Sequence, residues 1–242
     1  GFLRSLSYII KLIRPTRILI VFDGKGGSQK RKKLFPDYKA GRAFKSKLNR
    51  RVEFTKEGDE RTSMVQQMSR LMEYLECLPV QTFSLDNMEA DDVISYVANK
   101  GKFTRCTIMS TDKDFLQLVD DRINVYSPSK KKLYNTETLK EEYDIHPENF
   151  LIYRMVDGDK SDNIPGVKGI GLKTLIKLYP EISTEAISLK ELVSRDNRLS
   201  ENLDILKRNF ELMDLKEILI SGNAKQKILD FVEQKPNSLN SF

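Results

Sequence analysis

Apolar residues recur at helical spacing from the first positions. Phe2, Leu3, Leu6, Ile9, Ile10 and Ile13 share one stripe, which predicts an amphipathic helix over 2–13. The period then breaks: Arg17-Ile18-Leu19-Ile20-Val21-Phe22 is a short β-branched run and reads as a buried parallel strand ending at Asp23-Gly24. Met64, Val65, Met68, Leu71, Met72, Leu75 and Leu78 return to i, i+3, i+4, i+7 spacing and predict a core-facing helix over 62–78, stopped by Pro79. Strands are predicted at 80–83, 107–110 and 123–126, with a helix from Glu89 to Lys100 closed by Gly101. From about Thr136 the strand signals vanish. Helical spacing marks a short segment opening at Thr136, then Phe150 to Val156, Leu172 to Leu178, Thr184 to Val193, Asn202 to Met213 and Ala224 to Val232, ahead of a polar tail. The order implies an α/β region over 1–135 with a mostly parallel sheet, followed by an all-helical region over 136–242.

Composition narrows the chemistry. Of 242 residues, 39% are hydrophobic and 9% aromatic, enough for a packed core and too many for a disordered chain. No run approaches the roughly 20 apolar residues that span a bilayer, and no secretory leader pattern opens the chain, so the expectation is a soluble cytoplasmic protein. Cys77 and Cys106 each lie in an apolar segment, are too few for a disulfide framework, and read as buried thiols. His146 is the single histidine, so catalysis must rest on carboxylates, Lys, Arg, Tyr or Ser.

Charge is unevenly placed. From Lys25 to Arg51 eleven basic residues and one acid give a local charge of +10, so the remainder of a chain totalling +6 carries −4. A concentrated basic stretch suits a polyanion, and Tyr38 and Phe44 interleave it as a groove for single-stranded nucleic acid would require; a solvated basic loop is the plainer alternative. The acids group oppositely. Asp23, then Glu89, Asp91 and Asp92, then Asp112 and Asp114, then Asp157, Asp159 and Asp162 each follow an apolar segment, the position of strand ends on one edge of an α/β sheet. Acids in the first turn of a helix often serve only its dipole. Convergence of all four groups would instead demand a neutralising cation, and oxygen ligands without His or Cys suit Mg²⁺ or Mn²⁺. Two such ions about 4 Å apart can activate water and stabilise the leaving oxygen in phosphodiester hydrolysis. Gly166-Val167-Lys168-Gly169-Ile170-Gly171 before Leu172-Lys173 reads as a hairpin between helices, with backbone N–H groups and lysines placed for a phosphate.

Five motifs then stand in order: Ile20-Val21-Phe22-Asp23, Leu34-Phe35-Pro36-Asp37-Tyr38-Lys39-Ala40-Gly41-Arg42, Glu89-Ala90-Asp91-Asp92, Ser110-Thr111-Asp112-Lys113-Asp114, and the run from Gly158 to Val167. Together they resemble the 5′-nuclease (flap endonuclease) family, which includes the 5′-to-3′ exonuclease domain of bacterial DNA polymerase I and free-standing phage exonucleases. The resemblance implies a PIN-like α/β domain followed by a helix-three-turn-helix module, with a basic arch over about 25–61 and a helix-hairpin-helix at about 150–180. It implies a first metal ion near Glu89, Asp91, Asp112 and Asp114, with Asp23 and Asp92 in the same cluster, and a second at Asp159 and Asp162. Lys39 and Arg42 would contact the scissile phosphate, Tyr38 would stack on an unpaired base, and Lys25 and Arg31 would guide a 5′ single-stranded arm. Gly166, Val167, Gly169, Ile170, Gly171 and Lys173 would grip the duplex backbone, with K⁺ held at the hairpin. The implied protein is a monomeric Mg²⁺- or Mn²⁺-dependent exonuclease or flap endonuclease that leaves 5′-phosphates, working on DNA with 5′ arms or flaps beside replication proteins.

One departure bears on this. The family opens with a strand ending in an Asp ligand, then a helix whose Tyr-Gly-Phe-Leu-Arg-Ser-Leu pattern is similar to Gly1 to Leu6, so a segment is expected before Gly1. A chain without it is expected to fold poorly and bind metal weakly, and the competing reading is a catalytically silent DNA-binding replication accessory. A small PIN-type ribonuclease shares the acid layout but would need neither the hairpin nor the helical region.

Overall fold

The computed structural model describes residues 1–40, 57–218 and 220–235, which leaves Arg42, Phe44 and most of the basic stretch beyond Lys39 outside the described residues. α1 (Phe2–Ile13) and β1 (Leu19–Phe22) form where the periodicity places them. After α2 (Gln29–Leu34) and α3 (Glu57–Glu76), β2 (Gln81–Ser84) lies parallel to β1, with Leu19 opposite Gln81 and Phe22 opposite Ser84. α4 (Ala90–Lys100) leads to β3 (Cys106–Met109), a 3₁₀ helix over Lys113–Leu118 and β4 (Ile123–Ser127), parallel to β3. β5 (Lys132–Tyr134) then pairs antiparallel with β4, an edge strand absent from the sequence reading, because three residues beginning at a lysine run carry no usable alternation. Among the described residues β1–β2 and β3–β4–β5 are separate small sheets, with β1–β2 and β3–β4 parallel as expected and β4–β5 antiparallel.

Helices dominate the rest: α5 (Thr136–Tyr143), α6 (Phe150–Asp157), α7 (Leu172–Leu178), α8 (Leu189–Arg195), α9 (Asn197–Glu201), α10 (Leu203–Met213) and α11 (Gly222–Glu233). A two-residue ladder, β6 (Gly158–Asp159) against β7 (Ile164–Pro165), interrupts them. The helix read over 184–193 begins only at Leu189, since Ser188 caps it by accepting from Glu191 N, and Pro180–Ser183 is a 3₁₀ turn. The largest hydrophobic cluster joins Ile108, Phe115 and Val125 to Phe150, Leu175, Leu206 and Met213, so one core runs across residue 135. No helix among the described residues is long and apolar enough to cross a membrane.

Two expectations fail in α3 and just after it. Leu75 is 1% exposed against α1 and β1, but Val65 and Met68 are 58% and 41% exposed, so only the C-terminal part of α3 faces the core. Cys77, one residue past the helix, is exposed, whereas Cys106 is half-buried. Helical spacing marked the stripe but not how far the core reached along it. Leu75→Ala should lower the unfolding free energy by about 2–4 kcal/mol in urea, and Val65→Ala should change it by less than about 0.5 kcal/mol. Equal costs would contradict the burial gradient.

Candidate active site

The acids gather because strands and helix starts end on the same side. Asp23 follows β1 and its Oδ1 accepts from Ala90 N at 2.8 Å, so it caps the start of α4. The Glu89 side chain, at the N-cap position, makes no cap bond of its own, and it turns inward to 4% exposure. Asp91 and Asp92 fill the first turn of α4. Arg31, from α2 and only 8% exposed, reaches all three: Nη1 donates to Glu89, Nη2 lies 2.8 Å from Asp92 Oδ1, and Nη1 lies 3.5 Å from Asp91 Oδ1. Lys39 Nζ pairs with the other oxygen of Glu89, and the Tyr38 hydroxyl donates to Glu89 Oε2 at 3.3 Å.

A second group forms beyond β3. Asp112 Oδ1 accepts from Asp114 N at 2.9 Å and starts the 3₁₀ helix. Arg154, 3% exposed on α6, puts Nε 2.6 Å from Asp114 Oδ1, pairs Nη2 with Asp159 and donates Nη1 to Gly158 O at 3.2 Å. Asp159 Oδ1 also accepts from Ser161 N and Oγ, each at 2.6 Å, and from Asp162 N at 3.2 Å. Gly158 makes this turn possible: its φ is +74°, and a Cβ would lie 2.4 Å from Gly166 N. The two groups are stitched together through residues 37–39. Lys39 N donates to Asp162 O at 2.8 Å, and Asn163 Nδ2 donates to Asp37 O at 3.0 Å.

The acids stand in two groups joined through residues 37–39, and the charges that face them are the chain's own. Arg31, Lys39 and Arg154 are turned to the carboxylates, and among the described residues no set of three or more His, Cys, Asp or Glu is arranged around a metal position. Their compensation is incomplete. Burial pushes Asp91 up to about 7, with Arg31 opposing and Asp92 and Glu89 adding to the rise. Asp114 is pushed up to about 6 by burial, against Arg154 and with Asp112. Glu89 moves the other way: burial raises it, but Arg31 and Lys39 bring it below the usual carboxylate range. An oxygen-only donor set that retains uncompensated buried charge fits a hard divalent cation in its chemistry.

Two assignments need correction. Tyr38 is 2% exposed within the main core, because its hydroxyl is committed to Glu89, so its ring is not presented to an unpaired base. Arg31 is buried among acids and donates Nε to Leu212 O at 2.9 Å, so it does not line an open path for a single strand. Lys25 is exposed in the turn after Asp23. In the hairpin, Val167 and Ile170 are core residues at 5% and 2% exposure whose N–H groups donate to Val156 O and Val167 O, while Lys168 and Lys173 are exposed. Gly166 is packed so that a Cβ would lie 2.3 Å from Val156 O, Gly169 has φ +81°, and Gly171 is the N-cap of α7. Sequence reasoning missed Arg154, although a lone cation inside the apolar run Phe150-Leu151-Ile152-Tyr153-Arg154-Met155-Val156 signals a buried partner.

The raised carboxyls set a pH dependence. A group whose folded pKa exceeds its unfolded value lends stability that is complete below the unfolded value, near 4, and is lost as pH rises to the folded one. In EDTA, stability should therefore fall between about pH 4 and 7, and Asp91→Asn should flatten that slope and raise the unfolding free energy at pH 8 by about 1–2 kcal/mol. Urea denaturation over a pH series reads both, and a less stable Asp91→Asn at pH 8 would count against the charge excess.

Comparison with known proteins agrees with this architecture. Residues 1–144 match the family described as the 5′-3′ exonuclease N-terminal resolvase-like domain. A 5′-3′ exonuclease of Buchnera aphidicola subsp. Acyrthosiphon pisum is 32% identical over 254 residues, covering 100% of this chain and 83% of its own length. The 5′-3′ exonuclease of Aquifex aeolicus is 34% identical over 192 residues, 78% of this chain and 61% of that protein. The thermostable DNA polymerase I of Thermus thermophilus is 34% identical over 219 residues, 88% of this chain and 24% of the polymerase. Among solved structures, T5 5′-exonuclease with bound divalent metal ions (zinc) superposes with a TM-score of 0.76 at 20% identity, over 96% of this chain and 89% of the other. T5 flap endonuclease, as a pseudo-enzyme-product complex with DNA and metal ions, gives 0.75 at the same identity and coverage. This likeness is one of fold, and it confirms the PIN-like α/β class. With a family match over more than half its length and relatives above 30% identity along it, this chain belongs to the 5′-3′ exonuclease family of nucleases.

Proposed function

We propose that the chain hydrolyses DNA phosphodiester bonds near the junction of a 5′ single-stranded arm and duplex, and leaves 5′-phosphates. The observation that carries this is the stitching of two acid groups, Glu89–Asp92 and Asp112–Asp114 with Asp159–Asp162, by the segment bearing Lys39. Glu89, Asp91, Asp112 and Asp114, with Asp23 and Asp92 beside them, would hold one divalent ion, and Asp159 and Asp162 a second. When bound, two Mg²⁺ or Mn²⁺ ions would supply an activated water and a stabilised leaving oxygen.

The chain's own residues do the rest. Arg31 and Arg154 hold the carboxylates in place, and as guanidiniums they keep their charge at any working pH. Lys39, with its side chain 21% exposed at the rim, would offset charge that develops on the scissile phosphate. Arg42, assigned beside it from the sequence, lies outside the described residues. Lys25 would draw in the arm. The main chain of the Gly166–Gly171 hairpin, with Lys168 and Lys173, would hold the duplex backbone, with K⁺ at its carbonyls, and such phosphate contacts weaken steeply with salt.

A second reading, DNA binding without cleavage, draws on the same geometry, since Arg31, Lys39 and Arg154 already occupy the carboxylates. A 5′-flap duplex labelled on the flap strand separates the two. Short labelled products should appear with Mg²⁺, vanish in EDTA, and fall at least about 100-fold in Asp112→Ala; ligation of the trimmed strand would establish the 5′-phosphate. Flap DNA bound but uncut with either Mg²⁺ or Mn²⁺ would favour the second reading.

A further inference from the structure

α10 belongs to the helical region, yet its last turns hydrogen-bond to the segments that support both acid groups. Asn209 is 0% exposed, and its Nδ2 donates to Met155 O at 2.8 Å and to Pro165 O at 2.9 Å. These carbonyls lie near the end of α6 and on β7, the two supports of the turn that carries Asp159 and Asp162. Asn209 Oδ1 accepts from Arg208 Nε at 3.2 Å and Nη2 at 2.9 Å. Arg208 Nη2 also donates to Pro165 O at 3.1 Å, and its guanidinium lies 4.6 Å over the ring of Phe35. Phe35 opens the short stretch that ends in Lys39, whose N–H closes on Asp162 O. One turn further, Leu212 O accepts from Arg31, and Gln117 bridges Met213 O and Leu215 N at 2.9 Å and 3.0 Å.

We infer that Arg208 and Asn209 are positioning residues, which hold the Asp159–Asp162 turn against residues 35–39 so that Lys39 and the turn's acids keep one spacing. The inference rests on the nuclease reading of the site. Simple packing is a poor account of Arg208. Leu206, Leu212 and Met213 already supply the buried apolar face of α10, whereas the Arg208 side chain is half-buried, directs Nε and Nη2 to Asn209 and Nη2 also to Pro165 O, and lies over the Phe35 ring. A cation over an aromatic face and a guanidinium fork both fix direction, which a Met of similar length cannot do.

The test therefore uses Arg208→Met, which keeps an apolar stem over Phe35, with Arg208→Lys beside it. Hydrogen exchange of the full chain without DNA should rise about 5- to 10-fold in peptides covering 156–167 and 35–40, with 123–134 unchanged and the melting temperature within about 2 °C of the parent. On flap DNA at saturating Mg²⁺, kcat should fall about 10-fold with KM within twofold, and calorimetric titration without DNA should show weaker Mg²⁺ binding. Arg208→Lys, which keeps the charge but not the fork, should recover only part of each effect. Unchanged exchange in 156–167 would overturn the inference, as would a raised KM at constant kcat, which would make Arg208 a DNA contact. A parent chain that cuts no DNA would sink the nuclease reading alone, because the exchange result still decides the positioning role.

Discussion

Bringing Glu89, Asp91 and Asp92 into one buried group, and Asp114 and Asp159 into another, costs free energy that the fold offsets with two buried guanidiniums. Arg31 serves the first group and Arg154 the second, at 8% and 3% exposure. Unpaired carboxylates buried to this degree would take up protons or destabilise the fold by several kcal/mol each. Arginine suits the task because its planar fork meets two acids at once and cannot be deprotonated. Lysine in either place could serve one carboxylate but not bridge two in a fixed direction.

That constraint reaches into the architecture. For Arg31 to stand among the acids of α4, α2 must lie over the start of that helix, and its Nε is anchored on Leu212 O of α10. For Arg154 to reach both Asp114 and Asp159, α6 must end where the chain reverses sharply, and Gly158 with its positive φ supplies the reversal. The helical region thereby becomes part of the site's frame. The core follows the same logic, since one hydrophobic cluster runs from Ile108 and Val125 into Leu206 and Met213.

Much of this was legible in the sequence. β-branched runs placed β1, β3 and β4, and the acids expected after β1 and β3 do follow those strands, Asp23 bonding to the start of α4 and Asp112 opening the 3₁₀ helix, although the strands belong to separate sheets. What escaped has physical causes. Tyr38 and Arg31 sat in a basic stretch whose net charge suggested solvent and DNA, but a side chain's partner is set by tertiary contacts, and both turned inward to Glu89. The α3 stripe looked apolar throughout, yet amphipathic spacing gives direction around a helix and not depth along it, so Val65 and Met68 remain exposed while Leu75 is buried. β5 is three residues long and has too little pattern to detect. Arg154 was the recoverable miss, since a single cation inside seven otherwise uncharged residues has few fates besides a buried acid.

Neutralisation by arginine is deliberately incomplete in its effect on chemistry. Asp91 and Asp114 stay well above the usual carboxylate range even with a guanidinium beside each, so the pairing stabilises the fold without satisfying the acids. A site fully compensated by Arg and Lys would hold no attraction for a divalent ion, and one with no compensation would not remain folded around its carboxylates. The arrangement lies between these limits, and Lys39 is the adjustable member. Arg31 and Arg154 are tied to backbone carbonyls as well as to acids, whereas among the described residues the Lys39 ammonium pairs with Glu89, acts on Asp91 and lies over the Tyr38 ring, with no backbone anchor. On the proposed nuclease reading, a divalent ion that took over the charge of Glu89 would free Lys39 to meet an anion at the rim, which would couple metal binding to phosphate binding.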